Sequence, residues 1–113
     1  MYTIIKQFDI SAAHKLNLSY PSNCSTLHGH NWRIKVFCRA KELNENGMVI
    51  DFTQIKELVQ NKLNHAYLND ILDFNPTAEN IAKWIVDTVP FCYKAVVEET
   101  DGSIAIYEKD VQD

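Results

Sequence analysis

Residues 32–39 alternate: apolar Trp32, Ile34, Val36 and Cys38 are interleaved with polar Arg33, Lys35 and Arg39. Successive side chains of a strand point to opposite faces, so this pattern specifies a strand with one buried face. A chain built around it has to cover one side of a sheet. The segment "YTIIKQFDISAAH" before it is rich in Ile, Tyr, Phe and Thr and alternates loosely, which predicts a second strand. Between the two, "NLSYPSNCST" carries Asn, Ser and Pro and reads as a loop, and "NENG" after Ala40 reads as a turn.

The period changes at Asp51. Ile55, Leu58, Val59 and Leu63 form one helical stripe, with Asp51 or Thr53 as the cap. A second helix is expected in "NPTAENIAKWIVDTV", capped by Thr77, with Glu79 in its first turn and Pro90 at its stop. Its inner face is Ile81, Trp84, Ile85 and Thr88. "KAVVEET" and "SIAIYEK" then read as strands joined at Asp101-Gly102, a strong hairpin signal. The order strand, strand, helix, helix, strand, strand predicts an α+β fold, a four-stranded antiparallel sheet with two helices on one face.

The chain has 113 residues, so residues 1–113 are expected to form a single domain, and 46% hydrophobic residues suffice for a core. A net charge of −4 argues against a general nucleic-acid binder. Three widely spaced cysteines, Cys24, Cys38 and Cys92, form no disulfide framework. With no signal-peptide core and no membrane-spanning run, a cytoplasmic protein without membrane contact is expected.

The chemistry concentrates in "CSTLHGH", residues 24–30. His28 and His30 are two apart at the start of a strand, so both imidazoles face one side, and Gly29 leaves room between them. His14 ends the first strand and joins them if the strands pair. Three neutral histidines without a fourth protein ligand are the pattern of a catalytic zinc. The pair alone serves equally as solvent or core histidines. Cys38 and Cys92 fit the ordinary reading of cysteine as a small buried apolar residue. Cys24 lies in a polar loop beside the histidines, where a nearby zinc would favour its thiolate. His65, at the end of the first helix, reads most simply as a histidine favoured by the helix dipole.

The blocks "FDISAAHKL", "CSTLHGHNWRIKV", "GMVIDFTQIKELV", "LNHAYLNDI", "NPTAENIAKWI" and "VVEET" run almost end to end. In this order they resemble the 6-pyruvoyltetrahydropterin synthase and 6-carboxytetrahydropterin synthase family. The resemblance implies a Zn2+ held by His14, His28 and His30. It implies a general base or thiolate at Cys24, relayed through His65, and a pterin anchor at Glu99, followed by Thr100, with Glu99 also in the relay. Adjacent Glu98 is expected on the opposite face. Asn64 stands where the family usually has Asp. Its carbonyl can still accept the imidazole N–H but adds no negative charge. Lys15, Arg33 and Lys35 are candidates for the triphosphate.

The three residues between Cys24 and His28 resemble the bacterial 6-carboxytetrahydropterin synthases of the 7-deazaguanine and queuosine pathway. The resemblance therefore implies a zinc-dependent lyase that converts 7,8-dihydroneopterin triphosphate to 6-carboxy-5,6,7,8-tetrahydropterin, acetaldehyde and triphosphate. The alternatives are 6-pyruvoyltetrahydropterin synthase, or a pterin-binding homologue with weakened catalysis. The family's T-fold closes trimers into a barrel, and two trimers stack, which implies a homohexamer with sites between subunits.

Overall fold

Two strands of 13 residues each, β1 (Tyr2–His14) and β2 (His28–Ala40), pair antiparallel along their whole length, from Tyr2 opposite Ala40 to His14 opposite His28. They belong to a computed structural model in which residues 1–110 are described. β3 (Cys92–Thr100) pairs with β2, and β4 (Ser103–Glu108) pairs with β3, so the sheet runs in sequence order with antiparallel neighbours. The alternation of β2 works as expected. Trp32, Ile34, Val36 and Cys38 are buried, while Arg33 and Arg39 are exposed.

The buried face of the sheet is covered by the helices. The first helical run, α1 (52–63), opens with Asp51 as its N-cap, its side chain accepting from Thr53 N. Its middle turn, Lys56–Gln60, is a π turn in which Asn61 N–H reaches back to Lys56 O. The wider turn keeps Ile55, Val59 and Leu63, spaced four apart, all fully buried. A short turn of helix, α2 (Leu68–Ile71), follows. Next comes α3 (Ala78–Thr88), capped as predicted by Thr77, whose side chain accepts from Asn80 N. Ile81 and Ile85 of α3 are buried against the sheet, whereas Trp84 is only partly covered. Burying each such aliphatic side chain stabilises by roughly 1.5–3 kcal/mol.

Two backbone features shape the hairpin of β3 and β4. The turn between β3 and β4 contains Gly102 at φ +86°, the left-handed geometry that Asp-Gly hairpins need. Just before it, Glu98 pairs with Ile104 and Thr100 pairs with Ser103, which leaves Glu99 as the extra residue of a bulge. The other face of the sheet has no helix on it and carries Asp9, Arg33 and Glu98, with Arg33 Nε 3.3 Å from Asp9 Oδ1. No helix among the described residues is long and apolar enough to cross a membrane.

Candidate metal centre

The pairing of His14 with His28 at the end of the β1–β2 ladder brings three imidazoles together on the buried face. One nitrogen from each of His14, His28 and His30 can be chosen so that all three lie within 4.8 Å of one another. The ring centroids of the three are 4.5, 5.1 and 4.8 Å apart. Trp32 packs edge-on against His14 and His30, at 4.9 and 5.4 Å, and walls the cluster on the core side.

The tautomers follow from the hydrogen bonds. His14 Nδ1 lies 2.8 Å from Pro76 O, and His28 Nδ1 lies 2.7 Å from Thr26 O. A carbonyl only accepts, so each Nδ1 donates its proton and each Nε2 keeps a bare lone pair. Burial pushes the pKa of His14 and His30 down, which favours the neutral rings that bind metal.

The residues fit a zinc ion. The Nε2 atoms of His14 and His30 are buried and have no hydrogen-bond partner among the described residues. Each such orphan costs about 1–3 kcal/mol unless something occupies it. Ligands roughly 2.0–2.1 Å from a tetrahedral zinc stand about 3.4 Å apart, so three nitrogens this close need only small side-chain adjustments. Glu99, turned inward by its bulge, places Oε2 3.6 Å from His14 Nε2 and Oε1 3.6 Å from His30 Nε2. That is too long for a hydrogen bond, so the carboxylate borders the cluster without capping it.

Glu99 also borders a cavity of about 460 Å3 shared with Leu16, Leu18, Thr77, Ser103 and Ile104. Glu98 points elsewhere, its carboxylate accepting from Gly102 N at 3.3 Å, so the two neighbours are divided between faces as expected. Thr100 is exposed and lines a cavity with Asp9, Arg33 and Glu98 on the uncovered face, away from that of Glu99.

Cys24 and His65 are not members of the three-histidine cluster. Cys24 is exposed in the short turn Asn23–Ser25, tied to the first loop by a Leu16 N–H bond to its carbonyl at 2.9 Å. Cys38 and Cys92 are buried and in register with each other, and the neighbouring Cys92 thiol together with burial pushes the Cys38 thiol up. His65 is exposed and lines a cavity of about 450 Å3 with Ser11, Gly29, His30 and Asn31. It follows the end of α1, at φ +61°, with its N–H donating to Ser11 O.

Asn64 does not take the place expected for it. Its Oδ1 accepts from Ser11 N at 2.9 Å, and among the described residues the His65 ring has no hydrogen-bond partner. Pro76, whose carbonyl orients His14, was invisible as a functional residue. The only hint was that Pro76, 62 positions from the histidine it serves, directly precedes the helix cap Thr77 in "NPTAEN".

The left-handed backbone at His65 makes a measurable prediction. His65→Gly is expected to leave stability unchanged or raise it by up to about 1.5 kcal/mol. Release of the strain, about 1–2 kcal/mol, outweighs the added chain entropy of glycine, about 0.5–1 kcal/mol. Urea unfolding decides the matter: a clearly destabilised glycine variant would show that the ring, not the backbone, sets stability there.

Comparison with known proteins places this geometry in context. A family model described as 6-pyruvoyl tetrahydropterin synthase matches residues 3–110. A protein of Synechocystis named 6-carboxy-5,6,7,8-tetrahydropterin synthase is 40% identical over 121 residues, covering 95% of this chain and 93% of its own. A Bacillus subtilis protein of the same name is 32% identical over 123 residues, covering 94% and 84%. The solved structure of Caenorhabditis elegans 6-pyruvoyl tetrahydropterin synthase is 27% identical, with a TM-score of 0.74 over 96% of both chains.

Proposed function

The chain belongs to the 6-pyruvoyl tetrahydropterin synthase family, and from that premise we propose that it is a zinc-dependent 6-carboxy-5,6,7,8-tetrahydropterin synthase. Its substrate is 7,8-dihydroneopterin triphosphate, its products are the carboxypterin, acetaldehyde and triphosphate, and its place is in 7-deazaguanine and queuosine synthesis. One observation carries the reading: three histidine nitrogens within 4.8 Å of one another, with a carboxylate 3.6 Å from two of them. The carboxy-forming branch is favoured because both bacterial relatives described above carry that name.

His14, His28 and His30 would hold the metal, and Zn2+ bound there would supply Lewis acidity. Glu99 accepts the paired N–H donors of the pterin edge, its charge and two oxygens matching two parallel donors. The cavity beside it has the volume for a bicyclic ring. Cys24, exposed and free, takes a carbon-bound proton as thiolate, and His65 relays it. Asn64 fixes the backbone beside His65 by accepting from Ser11 N. An aspartate would accept the same N–H, so Asn64 gives little ground for a weakened homologue.

The subunit is a single domain and assembles as a homohexamer, a dimer of trimers. Supporting this, β1 and β4 are both edge strands, and Ile104 and Ile106 of β4 are exposed.

Incubation with dihydroneopterin triphosphate tests the assignment. Acetaldehyde in equal amount with 6-carboxytetrahydropterin is expected. 6-Pyruvoyltetrahydropterin without acetaldehyde would move the chain to the other branch.

A further inference from the structure

The C-terminal end of the free edge of β1 is sealed in an unusual way, while residues 2–10 leave it open among the described residues. From Ser11 onward every second N–H along this edge is taken by the segment 64–75. Ser11 N donates to Asn64 Oδ1 at 2.9 Å, Ala13 N to Ala66 O at 3.0 Å, Lys15 N to Asn69 Oδ1 at 2.9 Å and Asn17 N to Asn75 Oδ1 at 2.9 Å. Three of the four acceptors are asparagine side chains. At Lys15 and Asn17 the same amide answers the carbonyl as well: Asn69 Nδ2 donates to Lys15 O at 2.8 Å and Asn75 Nδ2 to Asn17 O at 3.1 Å. These are the two bonds that a residue of a neighbouring antiparallel strand would exchange.

Residues 15–17 thus continue β1 beyond His14 as a strap, with two primary amides in place of a partner strand. Between the clamped residues, Leu16 N–H donates to Cys24 O at 2.9 Å. A cavity of about 480 Å3 lined by Lys15, Leu16, Asn17, Ser25, Tyr67 and Asn69 adjoins the strap, so packing alone leaves it room to shift. The strap runs from His14, the fully buried member of the histidine cluster, to the backbone of Cys24.

We propose that Asn69 and Asn75 are positioning residues for Cys24: by clamping the strap they fix where the thiol stands relative to the three histidines. The proposal rests on the reading of Cys24 as the base. A displacement of about 1 Å at a reacting group can cost on the order of 100-fold in rate.

Asn69 gives the cleaner test, because Asn75 directly precedes Pro76, whose carbonyl orients His14. In the zinc-loaded protein, Asn69→Ala is expected to lower kcat about 10- to 100-fold with little change in KM. It should also abolish hydrogen-exchange protection at Lys15 and Leu16 while the β2 amides stay protected. Asn69→Asp, which still accepts from Lys15 N–H but cannot donate, should fall between the two and serves if the alanine variant folds poorly. In a Cys24→Ala background, Asn69→Ala should have no further effect on the residual rate. An equal loss in both backgrounds would make Asn69 merely structural and overturn the proposal, as would unchanged Leu16 protection. If Cys24→Ala alone keeps full activity, the base assignment falls. The clamp is then decided by exchange at Leu16 alone.

Discussion

His28→Ala is expected to lose zinc and turnover together. The ring is only half-buried, and its Nδ1 is held by a local carbonyl, Thr26 O, so its removal opens no large hole in the core. What it removes is one of three nitrogens that converge from the paired ends of β1 and β2. Loss of an outer-shell partner of a metal ligand typically costs 10- to 100-fold in affinity, and loss of a ligand itself should exceed about 100-fold. Dialysis against a mild chelator followed by metal analysis should find the variant stripped and the wild type loaded. Circular dichroism should show the fold retained. A variant that stays fully loaded and active would end the three-histidine assignment.

Cys24→Ala is expected to do the opposite with the metal and the same to the rate. The thiol is exposed in a three-residue turn, so its loss removes no packing. General bases contribute roughly 100- to 10,000-fold, and that is the expected loss in kcat, with zinc content unchanged. Steady-state assays beside metal analysis of the same preparation separate the two roles. Full activity in the variant would remove Cys24 from the chemistry, and co-loss of zinc would make it a ligand instead of a base.

Much of this architecture was legible because it depends on neighbours in sequence. The alternation from Trp32 to Cys38, the cap at Thr77 and the Asp101-Gly102 turn each express a local backbone preference, and each is met in the structure. The convergence of His14 with His28 and His30 required only that two successive strands pair, the commonest arrangement for such strands. The same holds for Glu98 and Glu99, since adjacent strand residues face opposite ways, and the bulge merely refines the aim of Glu99.

What stayed hidden depends on contacts across long stretches of chain. The Pro76 carbonyl that sets the tautomer of His14 is 62 residues away from it, and the Asn69 and Asn75 clamps reach back 54 and 58 residues. Asn64 illustrates the difference. Its carbonyl, next to His65 in sequence, could accept the imidazole N–H. Its partner is instead Ser11 N, 53 residues away, a contact that no periodicity encodes. The π turn at Lys56–Gln60 and the left-handed His65, whose N–H donates to Ser11 O, are equally silent, because no local sequence signal marks either.

The central claim is a metal held by three histidines with the thiol outside the coordination sphere. X-ray absorption at the zinc edge of the wild-type protein tests it most directly. The account predicts nitrogen and oxygen scatterers only, at about 2.0–2.1 Å, with imidazole outer-shell features from three rings. A sulfur scatterer at about 2.3 Å would put Cys24 on the metal and contradict it.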